Sequence, residues 1–261
     1  MPNPSPSDTR RGVAVLVLAI AQVVSSPLTT LALGPSSNTG AISDANVTPV
    51  TPAGYAFAIW GLIYLASLAY AVYQLLPSQR GREVHRRTGW WLVAAFAAST
   101  LWVPIFGAQV IWLSQVVILA LVACLATATW RFTTLGPASG TTERALFRLP
   151  VTVYLGWATL ASAAGFGLTF RSLGMPADGA GVTVVSLVLV LVATLASITV
   201  VTRFNAAAGF AFTACWALIA VAVATYVEGV RIAALVAIVI VLGFLVVRAV
   251  RSRKPVAVLL G

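Results

Sequence analysis

Eight long apolar runs constrain this chain more than any other feature. They cover roughly residues 12–33, 54–76, 90–107, 109–130, 149–170, 182–201, 206–226 and 231–248. About 20 consecutive apolar residues in helical form cross the roughly 30 Å hydrocarbon layer of a bilayer. No water is available there, so a spanning backbone must satisfy its own N–H and C=O groups as helix. The expected fold class is therefore all-α: a polytopic transmembrane helical bundle of about eight spans, with the lipid bilayer as its first partner. Composition agrees. Hydrophobic residues make up 60% of the chain and charged residues 8%, against about 25% charge in a soluble domain.

The formal charge is +10, from 16 Lys and Arg against 6 Asp and Glu. Threading eight spans puts Arg10, Arg11, Arg80, Arg82, Arg86, Arg87, Arg131, Arg144, Arg148, Arg203, Arg248, Arg251, Arg253 and Lys254 on one side. Only Arg171 and Arg231 fall opposite. Short cytoplasmic loops carry excess Lys and Arg, so the expectation is a cell-membrane protein with N- and C-termini cytoplasmic. Nucleic-acid binding is not expected, because the arginines are scattered over several short segments rather than massed on one face.

Residues 10–33 have some features of a signal peptide. The run is long enough to span and lacks a clean cleavage signal, so a retained first helix is expected. Pro27 within it implies a kink. The long outer loop 34–53 is rich in turn formers, and loops of this length often act as lids or binding loops. The basic inner loop 77–89 holds the lone histidine, His85, read as a solvated residue. Cys124 and Cys215 lie inside spans and read as small hydrophobes; no zinc spacing is present and no metal is expected.

Missing residues exclude several activities. Ion-coupled carriers usually place a carboxylate or histidine within a span, whereas here all six acidic residues fall in tails, loops or span ends. Haem ligation by histidine inside the bundle is excluded by the position of His85. A retinal Schiff base needs a lysine in a span, and Lys254 is in the tail. No Ser/His/Asp or Cys/His set exists, so an enzyme is not expected and no cofactor is assigned.

Eight tryptophans remain. Trp90, Trp91, Trp112 and Trp130 sit at span ends and fit an interfacial belt. Trp157 and Trp216 lie well inside their helices. A buried indole N–H needs a partner, so these two are either core packers with a local acceptor or the wall of a pocket for a flat apolar ligand.

Three motifs occur in order on three helices: Thr51-Pro52-Ala53-Gly54-Tyr55-Ala56-Phe57-Ala58-Ile59-Trp60-Gly61-Leu62-Ile63-Tyr64, then Ser99-Thr100-Leu101-Trp102-Val103-Pro104-Ile105-Phe106, then Tyr154-Leu155-Gly156-Trp157-Ala158-Thr159-Leu160-Ala161. Together they resemble the TspO/MBR family, the translocator protein or tryptophan-rich sensory protein family. The resemblance covers about 12–170, five spans, and implies this division: 1–11 an N-terminal tail, 12–170 a TspO/MBR-like five-helix bundle, 171–250 three additional helices, 251–261 a basic tail. Tyr55 stands where the family usually has tryptophan. Ser99 replaces an asparagine, and Gly165 falls where the fifth helix usually has another, so two pocket amides are lost. The resemblance implies a pocket below the first loop that binds porphyrins or sterols. Tryptophan-dependent tetrapyrrole degradation is implied by resemblance alone. The preference for Arg over Lys, with abundant Ala and Val, points to a GC-rich bacterial gene.

The expected function is binding of a flat apolar ligand, a porphyrin or an isoprenoid, in a sensory or regulatory role. Trp60, Trp102 and Trp157 are the expected walls, with Tyr55 and Phe57 at the mouth. Hydroxyls of Tyr55, Tyr64, Tyr154 and Ser99 would orient the ligand. The rival is an uncoupled transporter or facilitator, which needs a polar seam drawn from Gln22, Ser25, Thr29, Gln109, Gln115, Thr127, Thr152, Thr194, Ser197 and Thr199. The spacing Ala161-x-x-x-Gly165 allows close helix packing, inside the bundle or in a homodimer. Val223 through Arg231 fits a proposed cholesterol motif; a snorkelling arginine beside an interfacial tyrosine explains it equally.

Overall fold

The structure is a computed structural model that describes residues 5–261. Its long helices are α1 (Pro6–Leu33), α2 (Ile59–Leu75), α3 (Glu83–Gly107), α4 (Ile111–Thr134), α5 (Leu149–Ser172), α6 (Ala180–Arg203), α7 (Ala207–Ala224) and α8 (Glu228–Arg251). A 3-10 turn, Gly54–Ala58, leads into α2. All eight segments are long and apolar enough to cross a membrane, and no strand occurs among the described residues. The all-α bundle of eight spans is as the apolar runs predict.

Local chemistry sets the ends. Ser5 and Asp8 form a reciprocal capping box with Pro6 in the first turn of α1, which satisfies orphan N–H groups. Gly34 ends α1 at φ 91°, a conformation that glycine adopts without strain. Pro27 leaves α1 continuous. Its neighbour Ser25 donates to the Thr100 carbonyl of α3 at 2.9 Å.

Helix α3 packs along α1 and α4, and α5 runs through the middle, against α2, α4, α6 and α7. Helix α8 covers α6 and α7. A close crossing joins α5 to α7. A Cβ at Gly156 would lie 2.1 Å from Thr213 Oγ1 and 2.7 Å from the Phe210 carbonyl oxygen, and one at Gly209 would lie 2.4 Å from Thr152 Oγ1. Two hydroxyls bond across it: Thr152 donates to the Ala206 carbonyl at 2.8 Å and Thr213 to the Val153 carbonyl at 3.0 Å. Small residues allow this approach where lipid supplies no hydrophobic drive between helices. The last three helices are thus packed into the same bundle as the first five. The segment after α8 also folds back: a short helix, Pro255–Leu260, buries Ala257 and Val258 beside α7 and α8.

All the cations except Arg171 and Arg231 lie at the bundle end that carries both chain ends. Ion pairs hold that end together. Asp8, 2% exposed, accepts from Arg11 and Arg86. Glu143, equally buried, accepts from Arg82 and Arg148. The π turn Arg144–Arg148 makes the second cluster feasible. Its i→i+5 bonding brings Arg148 round to Glu143, with Nε 2.7 Å from Oε1.

The structure corrects the reading of His85. The basic segment is not an open loop: a helical turn, Pro77–Arg80, is followed at once by α3, which begins at Glu83. His85 therefore sits in the first turn of a packed helix and is fully buried. The rings of Tyr70, Tyr73 and Phe147 surround it, with centroids at 5.8, 5.7 and 5.4 Å.

Candidate functional site

The opposite end of the bundle contains the cavity. Loop 34–53 is ordered rather than slack: a 3-10 turn, Pro35–Ser37, and a short helix, Thr39–Ala45, capped by the Asn38 side chain. Ser37, Ile42, Thr48 and Val50 bury themselves against the bundle. Glycines make room for this lid. A Cβ at Gly107 would lie 3.2 Å from the Ser37 carbonyl oxygen, and one at Gly167 would strike Val50 at 2.8 Å. Ala53 N–H bonds to the Ala220 carbonyl of α7 at 3.0 Å, so the lid's exit is fastened to the later helices.

Beneath the lid lies a cavity offering about 80 Å³ to the centre of a water-sized sphere. Thr39, Ser43, Asn46 and Val50–Pro52 roof it; Phe57, Trp60, Trp102, Phe106 and Trp157 form its aromatic wall. Helix α4 adds Ser114 and Gln115, and α5 adds Ala161, Ala164 and Gly165. Leu189, Val190 and Ala193 of α6 and Ala217, Leu218 and Val221 of α7 complete the lining.

Trp60 is the hub of the wall. Its ring stacks on Trp102 at 5.8 Å and meets Trp157 and Tyr154 edge-on, each at 6.0 Å. Phe57 meets Trp157 edge-on at 6.1 Å, and Trp102 stacks on Phe106 at 4.8 Å. Offset and edge-on pairs each add about 0.5–1.5 kcal/mol beyond area burial, which favours this arrangement of the wall. Trp157 is 1% exposed, and its Nε1 has no hydrogen-bond partner among the described residues. Trp216 differs: its Nε1 donates to the Ala56 carbonyl at 3.1 Å, so it packs with a local acceptor and stays off the cavity wall. Trp90, Trp112 and Trp130 are exposed, and Arg131 lies over the Trp91 ring.

Of the eight residues expected at the site, Phe57, Trp60, Trp102 and Trp157 line the cavity, and Tyr55, Tyr64, Ser99 and Tyr154 do not. Tyr55 is half-exposed and packs edge-on to Trp216. Tyr64 lies one turn along α2 from Trp60, away from the lid. Tyr154 is buried behind Trp60, and its hydroxyl donates to Gln22 Oε1 at 3.3 Å. Ser99 is buried below Trp102. The hydroxyls of Tyr64, Tyr154 and Ser99 are therefore on the far side of the indole wall, and that of Tyr55 is off the cavity beside Trp216.

Below the lid, Ser114 and Gln115 of α4 bring polar groups to the cavity lining, and Gln115 is an amide. Its Nε2 donates to the Ser162 carbonyl at 3.1 Å, and its Oε1 lies 2.3 Å from where a Gly165 Cβ would be. Only glycine at 165 leaves room for this amide. Ala161 and Gly165 both face inward, so this small pair opens the cavity. Sequence reasoning placed Gln115 only in a transport seam; its glutamine type within an apolar run was the available signal. The walls from α6 and α7 left no such signal.

The expected seam does not converge. Thr127, Thr194, Ser197 and Thr199 donate to carbonyls of their own helices, and Thr127 and Thr199 face outward. The cholesterol-type motif is likewise engaged: Tyr226 bonds the Ala177 carbonyl, while Arg231 bonds Glu228 and the Ala222 and Thr225 carbonyls at the end of α7. Both cysteines are free.

This is a membrane-type helical bundle with an aromatic-walled cavity under an ordered lid. The family model described as TSPO-like protein matches residues 12–247, and the chain belongs to that family. The match runs through all eight spans instead of stopping near residue 170. No curated protein and no solved structure matches the chain.

Proposed function

We propose that this protein binds a largely apolar ligand in the cavity under loop 34–53 and serves a sensory or regulatory role at the cell membrane. The observation that carries the reading is the convergence of Trp60, Trp102 and Trp157 on one lidded hollow. Ligand sites are typically concave and mostly apolar, with few placed polar groups, and this cavity fits that description. Both chain ends are assigned to the cytoplasm from the distribution of cations, which puts the lid on the outer side. The terminal end is filled by the Phe147 cluster and two ion-pair groups, which supports a dead-end binding site over a through-path.

Pockets that hold drug-sized ligands measure about 300–1,000 Å³. A tetrapyrrole would therefore need the lid or helices to move, whereas a slender isoprenoid would not. The test is titration of the purified protein with protoporphyrin while following tryptophan fluorescence. Saturable quenching is expected, weakened by Trp60→Phe and by Trp157→Phe. Identical curves for wild type and both variants would refute the pocket assignment.

A further inference from the structure

The bundle end that carries both chain ends divides its charge unevenly. Its three acids are all engaged: Asp8 by Arg11 and Arg86, Glu83 by Arg87, and Glu143 by Arg82 and Arg148. Those acids lie on α1, on α3 and just before α5. Where α6 and α8 end, Arg203, Arg248, Arg251, Arg253 and Lys254 have no acidic partner among the described residues. Two contacts gather them. Arg248 reaches from the last turn of α8 to the last turn of α6, donating to the Val201 carbonyl at 2.7 Å and to the Phe204 carbonyl, on either side of Arg203. Ala206 N–H bonds to the Ala257 carbonyl at 3.3 Å. That bond holds the short helix Pro255–Leu260, and Lys254 at its start, beside the turn between α6 and α7.

Internal chemistry leaves four of these cations unanswered. Arg248 is engaged by the α6 carbonyls. The side chains of Arg203, Arg251, Arg253 and Lys254 are exposed and have no hydrogen-bond or ion-pair partner among the described residues. Helix dipoles offset little. The C-termini of α6 and α8 bring about one negative charge between them, and the N-terminus of α7 returns about half of it. A bound polyanion would relieve the repulsion among all four. The surroundings say which kind. Exposed Leu195 of α6 and exposed Val246, Val247 and Val250 of α8 border the patch on the bilayer side. The short helix buries Ala257 and Val258 and exposes Val256 and Leu260. Apolar side chains beside cations at a span end match a phospholipid, acyl chain and headgroup together, better than a soluble anion.

We infer that the joined ends of α6 and α8, with the short helix Pro255–Leu260, form a binding site for a phospholipid whose headgroup carries two phosphates. One phosphate would answer one of the four free cations; two phosphates in one headgroup span the cluster and engage them in pairs. The site lies at the opposite end of the bundle from the lidded cavity and does not depend on it.

The probes are tetraoleoyl cardiolipin, with two phosphates, and dioleoyl phosphatidylglycerol, with one. Each is titrated into the detergent-purified full chain, and lipid adducts are read by native mass spectrometry. Cardiolipin is expected to bind about tenfold more tightly than phosphatidylglycerol. Arg203→Gln, Arg251→Gln, Arg253→Gln and Lys254→Gln should each weaken cardiolipin about fivefold. All four side chains are exposed, so the unfolding midpoints of these variants in SDS should match wild type. Arg10→Gln is the control. Arg10 is exposed at the same end and has no partner among the described residues, but it stands on α1, which packs on α2 and α3. Its replacement should leave cardiolipin affinity unchanged. If Arg10→Gln costs as much as the other four, the attraction belongs to the whole basic face and the site is refuted. Equal affinity for the two lipids refutes the two-phosphate headgroup and the proposal with it. Displacement of cardiolipin by equimolar inorganic pyrophosphate would show a site for a soluble polyanion and overturn the lipid assignment. If cardiolipin gives no saturable adduct, the proposal fails, and the cavity reading stands or falls separately on the protoporphyrin titration.

Discussion

Replacing Gly156 with alanine tests the close crossing of α5 and α7. The new methyl would sit 2.1 Å from Thr213 Oγ1 and 2.7 Å from the Phe210 carbonyl oxygen. Neither can yield alone, because Phe210 contributes backbone and Thr213 is held on the Val153 carbonyl. Helices α5 and α7 must separate by about an ångström, a strain of about 1–3 kcal/mol for overpacking. Separation also weakens the two hydroxyl bonds that cross the interface, each worth about 0.6 kcal/mol within a membrane bundle. Against this stands alanine's helix propensity, about 1 kcal/mol over glycine. The net expectation is a loss of about 2 kcal/mol, close to a thirtyfold drop in the folding equilibrium. The assay is reversible unfolding in mixed micelles by increasing SDS fraction. Gly243→Ala on α8 is the internal control, since a Cβ there meets nothing within 4 Å; it should be neutral or slightly stabilising. Equal midpoints for the two variants would refute the close crossing.

Glu143→Gln leaves the buried Arg148 without its counter-charge and should destabilise by about 3–5 kcal/mol, read as a lower midpoint in the same titration. His85→Phe should be neutral or stabilising, because both ring nitrogens lack hydrogen-bond partners among the described residues and the cage around them is aromatic; a large loss would reveal a polar role. Gly165→Asn should destabilise the bundle by displacing the Gln115 amide, and adding Gln115→Ala should restore folding to near wild type, measured as a double-mutant cycle in the same titration. Trp216→Phe removes one indole bond to the Ala56 carbonyl and should cost about 1 kcal/mol without changing cavity binding.

The spans were legible because hydropathy and helix length are coupled by the bilayer. Their ends were less so. The apolar run 90–107 stops where charge begins, but α3 continues back to Glu83. An i,i+4 pair, Glu83 with Arg87, stabilises that extra turn, and burial of His85 follows from it. Hydropathy cannot detect a charged turn that is helical because of its partners. The indole wall was legible through three motifs. The polar side of the site was not, because tyrosine and serine type says nothing of which face they occupy: Tyr154 is buried on α5 beside Trp157, yet its hydroxyl reaches α1.

Gly165 and Gln115 together place an amide against the cavity. The resemblance places an asparagine where Gly165 stands, and its absence reads at first as lost recognition. In three dimensions the missing side chain is what admits an amide from the neighbouring helix, with Gln115 Oε1 2.3 Å from the vacant Cβ position. An amide thus comes to the cavity from α4, at Gln115. Leu189, Val190 and Ala193 of α6 and Ala217, Leu218 and Val221 of α7 close the side that α4 leaves open, while Ala220 and Trp216 fasten the lid and the approach to α2. The last three helices therefore bound the site as well as supporting it. A chain truncated after α5 would lose a cavity wall and both fastenings together.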